Sequence, residues 1–141
     1  MKYVLDSSVA FKWFVREHDT DTALPLRENY RDGRLDLVAP EVFSVEVVHA
    51  ITKAERQKRI GRDEGRSAVA DLFAILPRLA KDLPILPRAY DIASTMRIGI
   101  YDCLYVALAE RERCESITAD EKLVRNLSQA FPFIVPLSSL R

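Results

Sequence analysis

The sequence predicts an α/β domain of three layers, with helices covering both faces of a central, mainly parallel sheet. Two observations carry this. Short apolar runs alternate with longer helical patterns along the whole chain, which is the order of crossover units and of a sheet covered on both faces. The composition, 141 residues with 48% hydrophobic and 30% charged side chains, suits one folded domain spanning 1–141 and is too apolar for a disordered chain. No internal repeat, low-complexity stretch or linker interrupts the pattern.

Residues 2–5 form the first apolar strand, stopped by Asp6-Ser7-Ser8, residues suited to a helix N-cap. Val9 to Val15 then reads as a largely buried helix. A mixed-charge helix follows and ends before the turn signal Asp32-Gly33. The second strand is 35–39. Pro40-Glu41 opens a helix running through Glu46 to about Arg59, with Gly61 as its C-terminal cap. Another helix occupies 62–80, ending or bending near Pro77. Ile85-Leu86, between Pro84 and Pro87, is a very short strand. Helices at 88–98 and 101–113 flank Gly99, and the chain continues with a strand at 116–118, a helix at 120–128 and a last strand at 133–135. Pro132 and Pro136 bracket that strand and blunt further pairing at a sheet edge.

Charge and leader patterns exclude several classes. Lys and Arg total 21 and Asp and Glu total 21, so bulk positive charge does not hold this chain on nucleic acid. No apolar run is long enough to span a membrane, and Met1 to Leu5 meets Asp6 too soon for a secretory signal. A cytoplasmic protein is expected. Cys103 and Cys114, if they share a helix, lie ~16 Å apart along it, too far for a disulfide, and are expected to be structural thiols.

The acids are more informative than their sum. In a parallel α/β sheet, ligands bind beyond the carboxyl ends of the strands. Asp6 follows the first strand, Asp120 follows the 116–118 strand, and Asp102 starts a crossover helix whose N-terminus lies at that same edge. Glu46 falls within an apolar arc between Val42 and Ala50, a costly place for a carboxylate without a compensating cation or metal. Each acid has a plainer role open to it. Asp6, Asp102 and Asp120 can serve helix N-termini, and Glu46 with His49 and Lys53 can form a polar stripe. A metal cluster accounts for all four at once. Converging carboxylates without a Cys or His cluster favour Mg²⁺ or Mn²⁺, and such ions support phosphodiester hydrolysis.

Four stretches then stand out in order: Val4-Leu5-Asp6-Ser7-Ser8; Pro40 to Glu46 with Val47 and Ala50; Tyr101-Asp102 to Ala109; and Thr118-Ala119-Asp120-Glu121-Lys122-Leu123. Together they resemble the PIN-domain family, and more narrowly the VapC-type toxin ribonucleases of prokaryotic toxin–antitoxin pairs. The resemblance covers essentially the whole chain. It implies a PIN-like α/β/α fold and a Mg²⁺- or Mn²⁺-dependent endoribonuclease with Asp6, Glu46, Asp102 and Asp120 as catalytic and metal-binding acids. Ser8 and Thr118 match the supporting hydroxyl positions. The resemblance further implies an RNA substrate, a small cognate antitoxin whose tail enters the acidic groove, and a homodimer. Glu121, directly after the fourth acid, departs mildly from the pattern and its part is open, as are those of His49 and Lys53.

Other readings compete. The same fold can serve as a non-catalytic RNA- or protein-binding scaffold. A phospho-receiver-like domain also carries rim acids, but Lys122 at a helix start suits it poorly. The Glu46-x-x-His49 spacing of a di-iron bundle needs a second copy, and the chain has one. Lys53, Arg56, Lys58, Arg59, Arg62 and Arg66 form either an anion-binding patch or a solvated helix face. Phe11, Trp13 and Phe14 sit in an apolar run that favours core packing over base stacking, and His18 lies in a charged, surface-like stretch.

Overall fold

A computed structural model describes residues 1–140, and a five-stranded parallel sheet runs through its centre. In chain order the elements are β1 (Lys2–Leu5), α1 (Ser7–Phe14), α2 (Thr20–Arg31), β2 (Asp36–Pro40), α3 (Val42–Arg56), α4 (Arg62–Ala74), β3 (Arg78–Ala80), α5 (Leu86–Met96), α6 (Ile100–Glu112), β4 (Glu115–Thr118), α7 (Glu121–Leu127) and β5 (Ile134–Pro136). The strands lie in the order β3-β2-β1-β4-β5, so the first strand in sequence is the central one. Val4 of β1 stands opposite Val38 on one side and Ser116 on the other.

The two directions of travel across the sheet set the layers. β1 to β2 and β2 to β3 step one way, while β3 to β4 and β4 to β5 step the other. Right-handed crossovers therefore put α1 to α4 on one face and α5 to α7 on the other. The packing agrees: α1 rests on α2, α3 and α4, and α5 rests on α6. α6 crosses β1, β2 and β4, which is why its residues from Cys103 to Ala109 are all buried. A helix that is apolar all round belongs in such a place. Phe11 and Trp13 are buried as well, the Trp13 indole N–H donating to the Ala23 carbonyl at 2.9 Å, so these rings belong to the core. His18 is exposed. Cys103 and Cys114 are both free, and Cys114 lies just past the end of α6.

The structure corrects several boundaries. The helix expected over 62–80 stops at Ala74, and Arg78–Ala80 pairs with β2 as an edge strand. Pro77 accounts for the break, since it lacks an N–H and biases Leu76 away from helix. Ile85-Leu86 is not a strand. Leu83–Ile85 is a single 3₁₀ turn and Leu86 begins α5, with Pro84 and Pro87 at permitted first-turn positions. Pro40 ends β2 opposite Ala80 rather than opening a helix. Gly61 caps the start of α4, not the end of α3, and its N–H donates to Glu64 Oε1 at 3.1 Å. The turn at Gly33 is as expected, with φ at +73°. α3 is less buried than its composition suggests: Phe43, Val47, Ile51 and Ala54 are sealed, but Val45 is 72% exposed.

Candidate active site

The sheet order fixes where the acids go. Asp6 leaves the carboxyl end of the central strand, and Asp120 follows the neighbouring β4. α3, which leaves β2 on the other side, carries Glu46, and Asp102 sits in the first turn of α6. β1 lies where the chain reverses its direction of travel, the switch point at which open α/β sheets form their crevices.

Asp6 is the most constrained of the four, only 6% exposed. Its Oδ2 accepts from the Ser8 backbone N–H at 3.4 Å, from the Thr118 hydroxyl at 3.0 Å and from the Ser8 hydroxyl. Each hydroxyl also accepts a backbone N–H from the turn after β4, Ser8 from Ala119 and Thr118 from Asp120, both at 3.0 Å. The two supporting hydroxyls expected from the sequence thus tie the β1–α1 turn to the β4–α7 turn through one carboxylate oxygen. The other oxygen, Oδ1, has no hydrogen-bond partner among the described residues and is not sealed from solvent. One oxygen is anchored and one is open.

The other acids follow similar logic. Asp120 caps α7, its Oδ1 accepting from the Leu123 N–H at 3.1 Å. The helix-capping roles considered for Asp6 and Asp120 are therefore real, and they occupy only part of each carboxylate. Asp102 has no side-chain hydrogen bond among the described residues, and burial, then Asp6 and Asp120, push it up to about 6. Burial also raises Asp6 above the usual carboxylate range, against its hydrogen bonds from Ser8 and Thr118, and Asp120 adds to the rise. Glu46 is raised by burial, lowered by a hydrogen bond from Tyr105, and raised again by Asp6 and Asp102. Among the described residues, no lysine or arginine figures among the groups that shift these three.

Asp6 and Asp102 act on Glu46, and Asp120 acts on Asp6 and Asp102, which orders the acids as a row with Asp6 and Asp102 in the middle, Glu46 at one end and Asp120 at the other. As they stand, no three His, Cys, Asp or Glu side chains among the described residues form a metal-holding group. The donor set nonetheless fits a hard divalent cation: the ligands on offer are carboxylate oxygens, Asp6, Asp102 and Asp120 each keep at least one without a partner among the described residues, and none of these carboxylates is paired in a salt bridge among the described residues.

A family model, the PIN domain, matches residues 3–126. The chain belongs to the PIN-domain family. That membership sets aside the receiver-like alternative. Among curated PIN-domain relatives, it is 35% identical over 88 residues to Ribonuclease VapC12 of Mycobacterium tuberculosis, covering 62% of this chain and 67% of that one. It is 26% identical over 137 residues to Ribonuclease VapC3 of Pyrobaculum aerophilum, covering 96% of this chain and 98% of the relative. Two solved structures share the PIN fold. PAE2754 from Pyrobaculum aerophilum matches with a TM-score of 0.71 at 20% identity, covering 99% of this chain and 92% of its own. The Rickettsia felis VapBC2 complex, bound to a DNA fragment from its promoter, matches with a TM-score of 0.65 at 14% identity, covering 96% and 97%.

The sequence reading missed Tyr105. It lies in the buried stretch of α6, 1% exposed, and its hydroxyl donates to Glu46 Oε1 at 2.6 Å. Ser7 adds a further side-chain hydrogen-bonding influence on both groups. A tyrosine in an otherwise apolar run was the available signal, because a buried phenol needs a partner. Of the open positions, Glu121 and Lys53 are exposed, and His49 is exposed beside Glu46 in the same cleft.

Proposed function

We propose that this chain is a metal-dependent endoribonuclease that hydrolyses RNA phosphodiester bonds, acting as the toxin of a type II toxin–antitoxin pair. The acid row at the switch point carries this reading, above all Asp6 with one oxygen anchored and one open. Relatives named VapC ribonucleases support it. The resident ion is Mg²⁺, with Mn²⁺ able to replace it. Asp6 and Asp102 hold it, and Glu46 and Asp120 complete its shell or hold water. Such an ion, when bound, positions the phosphodiester, supplies the attacking hydroxide and stabilises the leaving oxygen.

The protein's own part is positioning and proton balance. Ser8 and Thr118 fix Asp6, and Tyr105 fixes Glu46 across from α6 to α3. With Asp102 pushed up to about 6, a cation competes with a proton for this carboxylate at mildly acidic pH, so metal affinity falls as pH falls. The remaining partners are a small antitoxin, whose tail fills the acidic groove, and a second copy of the chain. The family relatives and the VapBC2 complex with its shared fold support the antitoxin partner. A cytoplasmic location goes with this role; no helix among the described residues is long and apolar enough to cross a membrane.

One observation favours the scaffold reading, namely that the acids do not close into a three-ligand group among the described residues. The test is cleavage of a labelled single-stranded RNA by the purified chain with Mg²⁺, Mn²⁺ or EDTA, beside Asp6→Asn. Metal-dependent cleavage that is lost in Asp6→Asn, with an unaltered circular dichroism spectrum, is the expected result. Undiminished cleavage by Asp6→Asn sinks the assignment, and absence of any metal-dependent cleavage favours the scaffold.

A further inference from the structure

The two ends of the acid row open into unlike clefts. At one end Glu46 shares a cleft of about 660 Å³ with Ser7, Val42, Val45, His49 and Tyr101. Val45 is 72% and Tyr101 58% exposed there, so a large aliphatic and an aromatic side chain face water beside a catalytic acid. At the other end Asp102 and Asp120 share a cleft of about 390 Å³ with Arg97, Lys122 and Asn126. Neither Arg97 nor Lys122 forms an ion pair among the described residues, although two carboxylates line the same cleft. Both cations are exposed and keep their donors available.

Tyr101 and Asp102 are consecutive in the first turn of α6, so one helix end separates the apolar cleft from the basic one. Resting on the ribonuclease reading above, we propose that single-stranded RNA lies across the acid row, with a base stacked on Tyr101 at the Glu46 end and a neighbouring phosphate held by Arg97 and Lys122 at the Asp120 end. The chemistry of each cleft matches one part of a nucleotide. An exposed aromatic ring beside aliphatic wall offers a face to any unstacked base, which a duplex does not present. Two unpaired cations offer charge to the backbone, with little sequence information. An acidic peptide would satisfy the basic cleft but leave the apolar one to a second, unrelated contact; an RNA strand fills both by its own alternation of base and phosphate. The arrangement also explains how an acidic site on a net-neutral chain draws in a polyanion, since its cations stand next to the acids rather than spread over the surface.

The test measures KM and kcat for metal-dependent cleavage of a single-stranded RNA over a series of salt concentrations. The proteins are the wild-type chain, Tyr101→Ala, Tyr101→Phe and the double variant Arg97→Ala with Lys122→Ala. Exposure of all three positions lets the variants fold, and circular dichroism verifies that. Tyr101→Ala is expected to raise KM about ten-fold with the salt slope retained, and Tyr101→Phe to restore it, as loss of a stacked base requires. The double variant is expected to raise KM and flatten the slope of log KM against log salt by about 0.7, the value for one phosphate contact on a single strand. A wild-type chain that cleaves while Tyr101→Ala keeps its KM, or while the double variant keeps its salt slope, overturns the two subsites and leaves the nuclease reading standing. A wild-type chain that cleaves no RNA overturns both.

Discussion

Replacing Asp102 with asparagine should make the metal-free protein more stable while removing its activity. In the folded chain burial, and then the charges of Asp6 and Asp120, lift this carboxyl from 3.8 to about 6. At about 1.4 kcal/mol per pH unit, that rise sets a ceiling of about 3 kcal/mol on the cost of keeping Asp102 ionised. The side chain is only half-buried and water screens its neighbours, so about 1–2 kcal/mol is the expected gain at pH 7.5. Asparagine removes the charge at similar size, and Asp102 makes no side-chain hydrogen bond among the described residues that the change would break. The sign follows from linkage. The folded state binds this proton more tightly than the unfolded chain does, so the penalty is absent well below the unfolded value. It then grows as pH rises and is complete once the folded value is passed. Urea denaturation in EDTA should therefore show the variant ahead of wild type at pH 7.5, with the gap closing toward pH 4. Mn²⁺ should reverse the order, because it stabilises the folded wild type by binding. A variant less stable than wild type at pH 7.5, or a gain that does not change with pH, would refute the crowding of these acids.

Three other outcomes follow from the hydrogen bonds. Tyr105→Phe leaves Glu46 Oε1 without its donor, so titration calorimetry with Mn²⁺ should show several-fold weaker binding, for a stability change of about 1 kcal/mol. Unchanged Mn²⁺ affinity would remove Tyr105 from the site. Ser8→Ala deletes one donor to Asp6 and the acceptor for the Ala119 N–H, and urea titration should find about 1–3 kcal/mol lost. Thr118→Ser keeps the donor to Asp6 and the acceptor for the Asp120 N–H. It should retain the metal affinity that Thr118→Val loses, and equal affinities in the two variants would contradict the role given to this hydroxyl.

The fold was legible where sequence and burial agree. Val4-Leu5 and Ile117 are apolar because they lie near the middle of a sheet covered on both faces, and the acids that follow those strands could be placed from topology alone. The stretch from 75 to 87 misled because three prolines punctuate it, and proline is compatible with an edge strand, a tight turn or a helix start. Arg78–Ala80 offered little strand signal, since an edge strand with only Ala80 buried has little apolar pattern to show. In the site, the four acids and both hydroxyls carried recognisable positions, whereas Tyr105 and the Arg97–Lys122 pair depended on contacts between segments distant in sequence. Val45 is apolar yet exposed. Its exposure reflects a helix that borders a cleft, which composition alone does not distinguish from a helix packed on every side.

The bond from Thr118 to Asp6 spans 112 positions of the chain. The central strand therefore waits for β4 to find it, and closing so long a loop comes late and slowly compared with local helix formation. During synthesis at about 5–20 residues per second, Asp6 leaves the ribosome several seconds before Asp102, Thr118 and Asp120. A half-made chain consequently holds Asp6, Ser8 and Glu46 but lacks Asp102, Asp120 and the Thr118 hydroxyl that completes the anchoring of Asp6. On the ribonuclease reading proposed above, this separation delays activity until nearly the whole chain has been made.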